Sequence, residues 1–159
     1  GINRRAPIEE LAEEDFDAVI AANLKGPWLC CRAVAPILKT QRWGRVINVA
    51  SMLAEISIAG RTPYASSKGG LHLMTKTLAL EWAPFGVTIN SLCPGPFATE
   101  MNQVLIKDPQ VNATFTSKIP LGRWGDPSEL GPAAVFLASD ASSYMTGASL
   151  FVDGGYTAQ

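Results

Sequence analysis

Apolar residues recur at helical spacing from Glu13 to about Gln41, through Phe16, Val19, Ile20, Leu24, Trp28, Leu29, Ala33 and Ile37. Gly26 and Pro27 both weaken a helix interior, so a kink or break is predicted near Asn23 to Pro27. A turn at Trp43-Gly44 then leads into the β-branched run Arg45 to Val49, too short for a helix, which reads as a buried strand ending at Ser51. Thr62-Pro63 offers an N-cap with proline at the first helical position, opening a helix to about Pro84 with Leu71, Met74, Leu78 and Trp82 on its apolar stripe. Val87 to Cys93 is a second strand, stopped by Pro94-Gly95. Residues 100 to 126 read as polar and irregular, with one short helix between Glu100 and Ile106. A helix from Pro127 or Ser128 to Ser139 and a last strand from Ser149 to Val152 complete the chain.

The alternation of helix and strand with short links predicts right-handed βαβ units in a parallel sheet of three strands with flanking helices, an α/β fold. Ligands of such sheets bind beyond the carboxyl ends of the strands. Ser51 and Pro94-Gly95 both fall there.

Composition narrows the function. Hydrophobic residues are 47% and charged residues 17% of 159, which describes a packed globule. Lys and Arg number 13 against 14 Asp and Glu, so the net charge is −1, and no basic run offers a footprint for nucleic acid. No apolar stretch reaches the roughly 18 residues of a membrane span. Cys30, Cys31 and Cys93 form neither a disulfide framework nor a zinc motif, which fits a reducing, cytoplasmic setting. The single histidine, His72, cannot supply a histidine metal cluster and reads as a satisfied packing group. By length the chain fits one complete domain, yet it begins abruptly at Gly1-Ile2, as if in mid-chain.

Tyr64 and Lys68 are four residues apart, which places both on one helix face, a turn from each other. Alone the spacing is a weak signal. Its setting strengthens it, because the preceding strand ends in Ser51 and the 13 residues between can bring that hydroxyl back over the tyrosine. A phenol ionises near pH 10, so acid/base work near neutrality asks for about 3 to 4 kcal/mol of help. An ammonium about 4 Å away, at an effective dielectric of about 20, would supply on the order of 4 kcal/mol. Tyr64 could then exchange a proton with a carbonyl or alcohol oxygen held by Ser51.

These residues resemble the short-chain dehydrogenase/reductases. The likeness rests on Ser51, the step to Tyr64-Ala65-Ser66-Ser67-Lys68, and Asn90-Ser91-Leu92-Cys93-Pro94-Gly95 with Thr99. Gly1-Ile2 is similar to the end of that family's Asn-Asn-Ala-Gly segment, Asn23-Leu24-Lys25-Gly26 to its Asn-Leu-x-Gly, and Val152-Asp153-Gly154-Gly155 to its last strand. The resemblance implies a Rossmann-type doubly wound sheet binding NAD or NADP. Within it, residues 1–159 would be the catalytic, C-terminal portion of a single domain. The glycine-rich phosphate loop has no counterpart in these residues, nor has the residue that would choose between the two cofactors, and the isolated stretch is expected to be inactive. Tyr64 would be the general acid/base, with Lys68 lowering its pKa and binding the nicotinamide ribose. Ser51 would orient the reacting oxygen, and Asn23 would anchor a water linking Lys68 to solvent. Pro94 and Gly95 would let the backbone approach the nicotinamide, with Phe97 packing and Thr99 bonding the carboxamide. A homodimer or homotetramer through the Tyr64 helix and the last helix and strand is implied as well.

For the substrate, a small alcohol or ketone, residues 100 to 124 should form a mobile lid, with Met101, Val104, Leu105, Ile106 and Phe115 able to cover the site. Ser51, Gly95, Met101 and Arg61 are the candidate contacts; Arg61 reads either as an exposed loop arginine or as the partner of a substrate carboxylate. Thr99 to Asn102 and Arg123 to Pro127 look most like the gluconate 5-dehydrogenase branch, acting on sugar acids. The alternatives are a 3-oxoacyl carrier-protein reductase and a family member that binds nucleotide without turnover.

Overall fold

The structure is a computed structural model that describes residues 1–158, apart from the side chain of Met101. Its sheet has three parallel strands in the order β1 (Gly44–Val49), β2 (Val87–Pro94) and β3 (Ser149–Val152). Val49 pairs with Leu92 and Pro94 with Val152, so all three carboxyl ends lie at one edge of the molecule. β2 is central, and its β-branched and small residues are buried almost throughout, as expected for a parallel strand covered on both faces.

Helices α1 (Glu13–Ile20) and α2 (Gly26–Gln41) run on through a π-turn at Ala21–Lys25 instead of breaking at Pro27. The Gly26 N–H reaches back to the Ala21 carbonyl, which absorbs one extra residue, and Pro27 sits in the first turn of α2 where its missing N–H costs nothing. α2 ends at Arg42 in the left-handed region, φ 54°. Close beside it, Gly86 (φ 71°) turns the chain into β2; a Cβ there would lie 2.6 Å from the Arg42 carbonyl oxygen.

α3 (Thr62–Trp82) lies across β1 and β2. Arg61 stands at its N-cap position, one residue before the cap expected at Thr62, and Pro63 occupies the first turn. Ala79 and Trp82 of α3 join Cys31 of α2 and Val87 and Ile89 of β2 in the main apolar cluster. A polar cluster is buried beside it: Thr75 Oγ1 accepts from Asn48 Nδ2 (2.8 Å) and Ser91 Oγ (3.1 Å) and donates to the Leu71 carbonyl (2.9 Å). Those bonds fix the height of α3 over both strands. On the opposite face α6 (Gly131–Ala138) meets β1, where Arg45 pairs with Asp140 at 3.2 Å.

The segment read as irregular contains more order than expected. After α4 (Gln103–Ile106) comes α5 (Pro109–Thr116), capped by Asp108, whose side chain accepts from the N–H groups of Gln110 and Val111. The final helix opens as a 3₁₀ turn, Pro127–Leu130, held by a capping box between Asp126 and Glu129.

Candidate active site

β1 runs through Ala50 into Ser51, whose backbone is extended and whose Oγ accepts from the Leu53 N–H at 3.1 Å. Eleven of the twelve residues between Ser51 and Tyr64 lie outside α3, and their turn returns the chain to its own starting point. There the Ser51 hydroxyl hydrogen-bonds the Tyr64 phenol. One turn along α3, Lys68 is buried and donates from Nζ to the Val49 carbonyl at 2.7 Å. The three side chains expected to meet do meet.

Their electrostatics differ from the expectation. Burial pushes the Tyr64 phenol above its ordinary pKa, opposed by the Ser51 hydrogen bond and then by the Arg61 charge. Burial likewise pulls Lys68 down. The Lys68 ammonium is committed to the Val49 carbonyl and sits 5.7 Å from the centre of the Tyr64 ring. In this state the charge that helps the phenol ionise therefore comes from Arg61.

Asn23 is buried within the π-turn, and its side chain is fully occupied. Oδ1 accepts from the Ile2 N–H (2.9 Å), and Nδ2 donates to the Ile2 carbonyl (2.8 Å) and to Ser67 Oγ (3.2 Å). The side chain thus clamps the first residues against α3, and the Ser67 hydroxyl in turn donates to the Tyr64 carbonyl at 2.7 Å. Any water bound at Asn23 must use its backbone.

Two cavities meet at Ser51 and Tyr64. The first, about 280 Å³, is lined by Lys68, Pro94, Gly95, Phe97 and Thr99 as well, so the residues assigned to the cofactor share one space. A Cβ on Gly95 would come within 2.4 Å of Asp153 Cα, so it is the neighbouring strand end that demands glycine there. Phe97 is buried and bridges to Gly125, while Thr99 is exposed. The second cavity, about 90 Å³, is lined by Arg5, Arg61, Leu105, Phe115 and Trp124 on the other side of the same pair. Arg61 is thus no free loop arginine: it faces Tyr64, and its pKa is lowered by burial and by Arg5. Among the described residues no carboxylate pairs with either Arg5 or Arg61. The candidate contact at Met101 lies outside the described residues.

A protein-family model described as Enoyl-(Acyl carrier protein) reductase matches residues 1–157. The chain belongs to the short-chain dehydrogenase/reductase family. Among curated members, gluconate 5-dehydrogenase of Gluconobacter oxydans is 40% identical over 157 residues, covering 99% of this chain and 61% of its own length. The 3-oxoacyl-[acyl-carrier-protein] reductase of Thermotoga maritima is 43% identical over 155 residues, covering 98% of this chain and 62% of that protein. A gluconate 5-dehydrogenase from Burkholderia cenocepacia J2315, solved in complex with NADP and tartrate, superposes with a TM-score of 0.97 at 39% identity, over 100% of this chain and 62% of that one. The chain therefore spans about 61% of the length of the short-chain dehydrogenase/reductases it matches.

Two features of this family member were not foreseen. Arg5 was not singled out, although the Arg4-Arg5 doublet held a signal: Arg4 pairs with Asp15 at 2.8 Å, which leaves Arg5 for the cavity. Trp124, read as part of a packing turn, both packs and lines the cavity. Its ring stacks on Phe115 with centroids 4.8 Å apart, and its Nε1 donates to Asn112 Oδ1 at 2.6 Å.

Proposed function

We propose that the protein carrying this chain interconverts an alcohol and a carbonyl with a nicotinamide cofactor, and that its substrate is a sugar acid. One observation carries the reading: Ser51 and Tyr64 stand between a cavity with the cofactor-type residues and a second cavity with two unpaired guanidinium groups. The nicotinamide cofactor, NADP by analogy with the Burkholderia structure, would supply or accept the hydride. Lys68, Pro94, Gly95, Phe97 and Thr99 fit its nicotinamide end, since together they shape one cavity open to Tyr64.

The chain's own residues handle the proton. In the reducing direction the Ser51 hydroxyl donates to the carbonyl oxygen and fixes it beside the phenol. Tyr64 passes its proton to that oxygen as the C–O double bond opens, leaving a phenolate; oxidation returns the proton to Tyr64. Arg61 and Lys68 both favour the phenolate once it forms. A substrate carboxylate placed at Arg5 and Arg61 would relieve their mutual repulsion and set the reacting carbon at a fixed distance from it.

A second reading, a 3-oxoacyl carrier-protein reductase, draws on the Thermotoga relative. The two are separated by assaying the full-length protein with keto-gluconates and with 3-oxoacyl thioesters, using NADPH and NADH. The sugar-acid reading expects turnover of the keto acid, and Tyr64→Phe should lower kcat roughly 100- to 10,000-fold while cofactor binding survives. Retained activity in that variant would overturn the mechanism, and a preference for thioesters would overturn the substrate. The same reading makes the enzyme a homodimer or homotetramer, supported by Leu80 of α3 (81% exposed) and Tyr144 ahead of β3 (104% exposed). Sedimentation of the protein as a monomer would refute it.

A further inference from the structure

Cys93 is fully buried at the carboxyl end of β2, directly before the Pro94-Gly95 turn. Its sulfur is met from two sides, by the backbone N–H of Ser51 and by the hydroxyl of Ser149 on β3. Ser149 Oγ is in turn 2.8 Å from Nδ1 of His72, which lies one turn beyond Lys68 on α3. Hydrogen bonds thus run without a gap from a partly exposed imidazole, through a buried thiol, to the main chain of the serine that joins the two cavities. None of these three side chains has a part in the proton transfer described above.

The order of donors and acceptors gives the chain a direction. An unprotonated Nδ1 is an acceptor, so it takes the Ser149 proton. Ser149 oxygen is then free to accept the Cys93 S–H, and the sulfur lone pair faces the Ser51 N–H. Every donor has an acceptor, and bonds aligned in one sense polarise one another. We propose that His72, Ser149 and Cys93 form a relay that positions Ser51 for the reaction, and that protonation of His72 reverses the relay and slows turnover. The inference rests on the reading that Ser51 holds the substrate oxygen.

The reversal follows from valence. An imidazolium has only donors, so Nδ1–H claims the Ser149 oxygen and the Ser149 proton must rotate toward Cys93. The thiol proton then loses its acceptor in a place with no water to replace it, and the sulfur turns away from the Ser51 N–H. A buried donor left without a partner is costly, so the Ser51 backbone shifts to find one. The charged groups that bear on the ring are Lys76 from its own helix, which opposes the imidazolium, and Glu55 from the turn after Ser51, which favours it. Burial is the largest influence and also opposes the charge, so His72 ionises below its ordinary value. The relay is therefore intact at neutrality and reverses on acidification below about pH 6.5.

The test uses the full-length protein and two readouts. The first is the pH profile of kcat/KM for wild type, Ser149→Ala, Cys93→Ala and Cys93→Ser. The second is the titration of the His72 Cε1 proton by NMR, assigned by its loss in His72→Gln. The wild type is expected to lose activity with the same midpoint as His72. Ser149→Ala and Cys93→Ala should lower kcat/KM at pH 7.5 roughly 2- to 30-fold, the range for coupling through packed networks, and flatten the acid limb with cofactor affinity unchanged. Cys93→Ser keeps a donor and an acceptor and should restore both rate and limb. Ser149→Ala also removes a donor to the neutral ring, so the His72 midpoint should rise. A Cys93→Ala enzyme with wild-type rate and acid limb overturns the relay, as does an unmoved His72 midpoint in Ser149→Ala. Should no carbonyl substrate be turned over at all, the functional reading falls, and the NMR midpoint still decides whether the relay exists.

Discussion

Two halves of the site are built in opposite ways. Ser51, Tyr64 and Lys68 stand on the β1, α3 and β2 framework, where side chains are buried and polar groups such as Asn48, Thr75 and Ser91 satisfy one another. The facing wall, residues 99 to 126, is made of short helices with no buried residue in α4 or α5. It is held chiefly by the Phe115–Trp124 stack and the Trp124–Asn112 hydrogen bond. Precision is concentrated where the proton moves, and adaptability where the substrate enters, as expected when loops carry specificity on a rigid scaffold.

The largest effect should come from breaking the framework at Trp82. That ring is 2% exposed, closes the cluster of Cys31, Ala79, Val87 and Ile89, and lies under the Lys39 ammonium at 5.8 Å. Trp82→Ala in the full-length protein should cost about 3 to 5 kcal/mol by chemical denaturation, because the cavity is walled by two helices and a central strand that cannot collapse into it. A loss below about 1 kcal/mol would mean that the framework is as loose as the facing wall.

An intermediate effect is expected at Thr75. Thr75→Val keeps the shape but leaves Asn48 Nδ2 and the Ser91 hydroxyl without the oxygen they share, in a region that excludes water. The expected cost is about 1 to 3 kcal/mol. Since this cluster sets the height of α3, kcat should fall with little change in KM. A change confined to KM would show that the cluster serves the wall instead.

Legibility in the sequence followed the same division. β1, β2 and β3 announced themselves as short β-branched or apolar runs between turns, and the Ser51, Tyr64 and Lys68 set followed from spacing along one strand end and one helix face. What spacing could not tell is where a flexible cation points. Lys68 Nζ goes to the Val49 carbonyl, so its expected effect on Tyr64 is not the one seen, and Arg61 takes that place. Arg5 escaped because nothing local links residues 1 to 5 with the loop before Tyr64; Asn23, far along the chain, does so by clamping Ile2. α5 escaped because Val111 and Phe115 are too few to make a stripe, although Asp108-Pro109 is a sound helix start that could have been read.

The smallest change in stability, and the clearest separation of the two halves, is expected at Phe115. Its ring lies nearly parallel to Trp124, 10° between planes, with Tyr156 tilted beside it at 6.1 Å. An aromatic pair of this kind contributes about 0.5 to 1.5 kcal/mol beyond area burial. α5 itself makes few bonds outside its own turns, so Phe115→Leu should lower global stability by less than about 1.5 kcal/mol. The consequence should appear locally: Trp124 loses its stacking partner, the second cavity loses one wall, and KM for the carbonyl substrate rises while kcat stays near wild type. Limited proteolysis between residues 100 and 120 should quicken, because opening this wall costs less than unfolding the framework. If Phe115→Leu instead destabilises the protein as much as Trp82→Ala, wall and framework unfold as one unit and the division fails. If kcat falls with KM unchanged, the aromatic stack holds Tyr64 and Ser51 in place, and the wall shares in the chemistry it was thought only to cover.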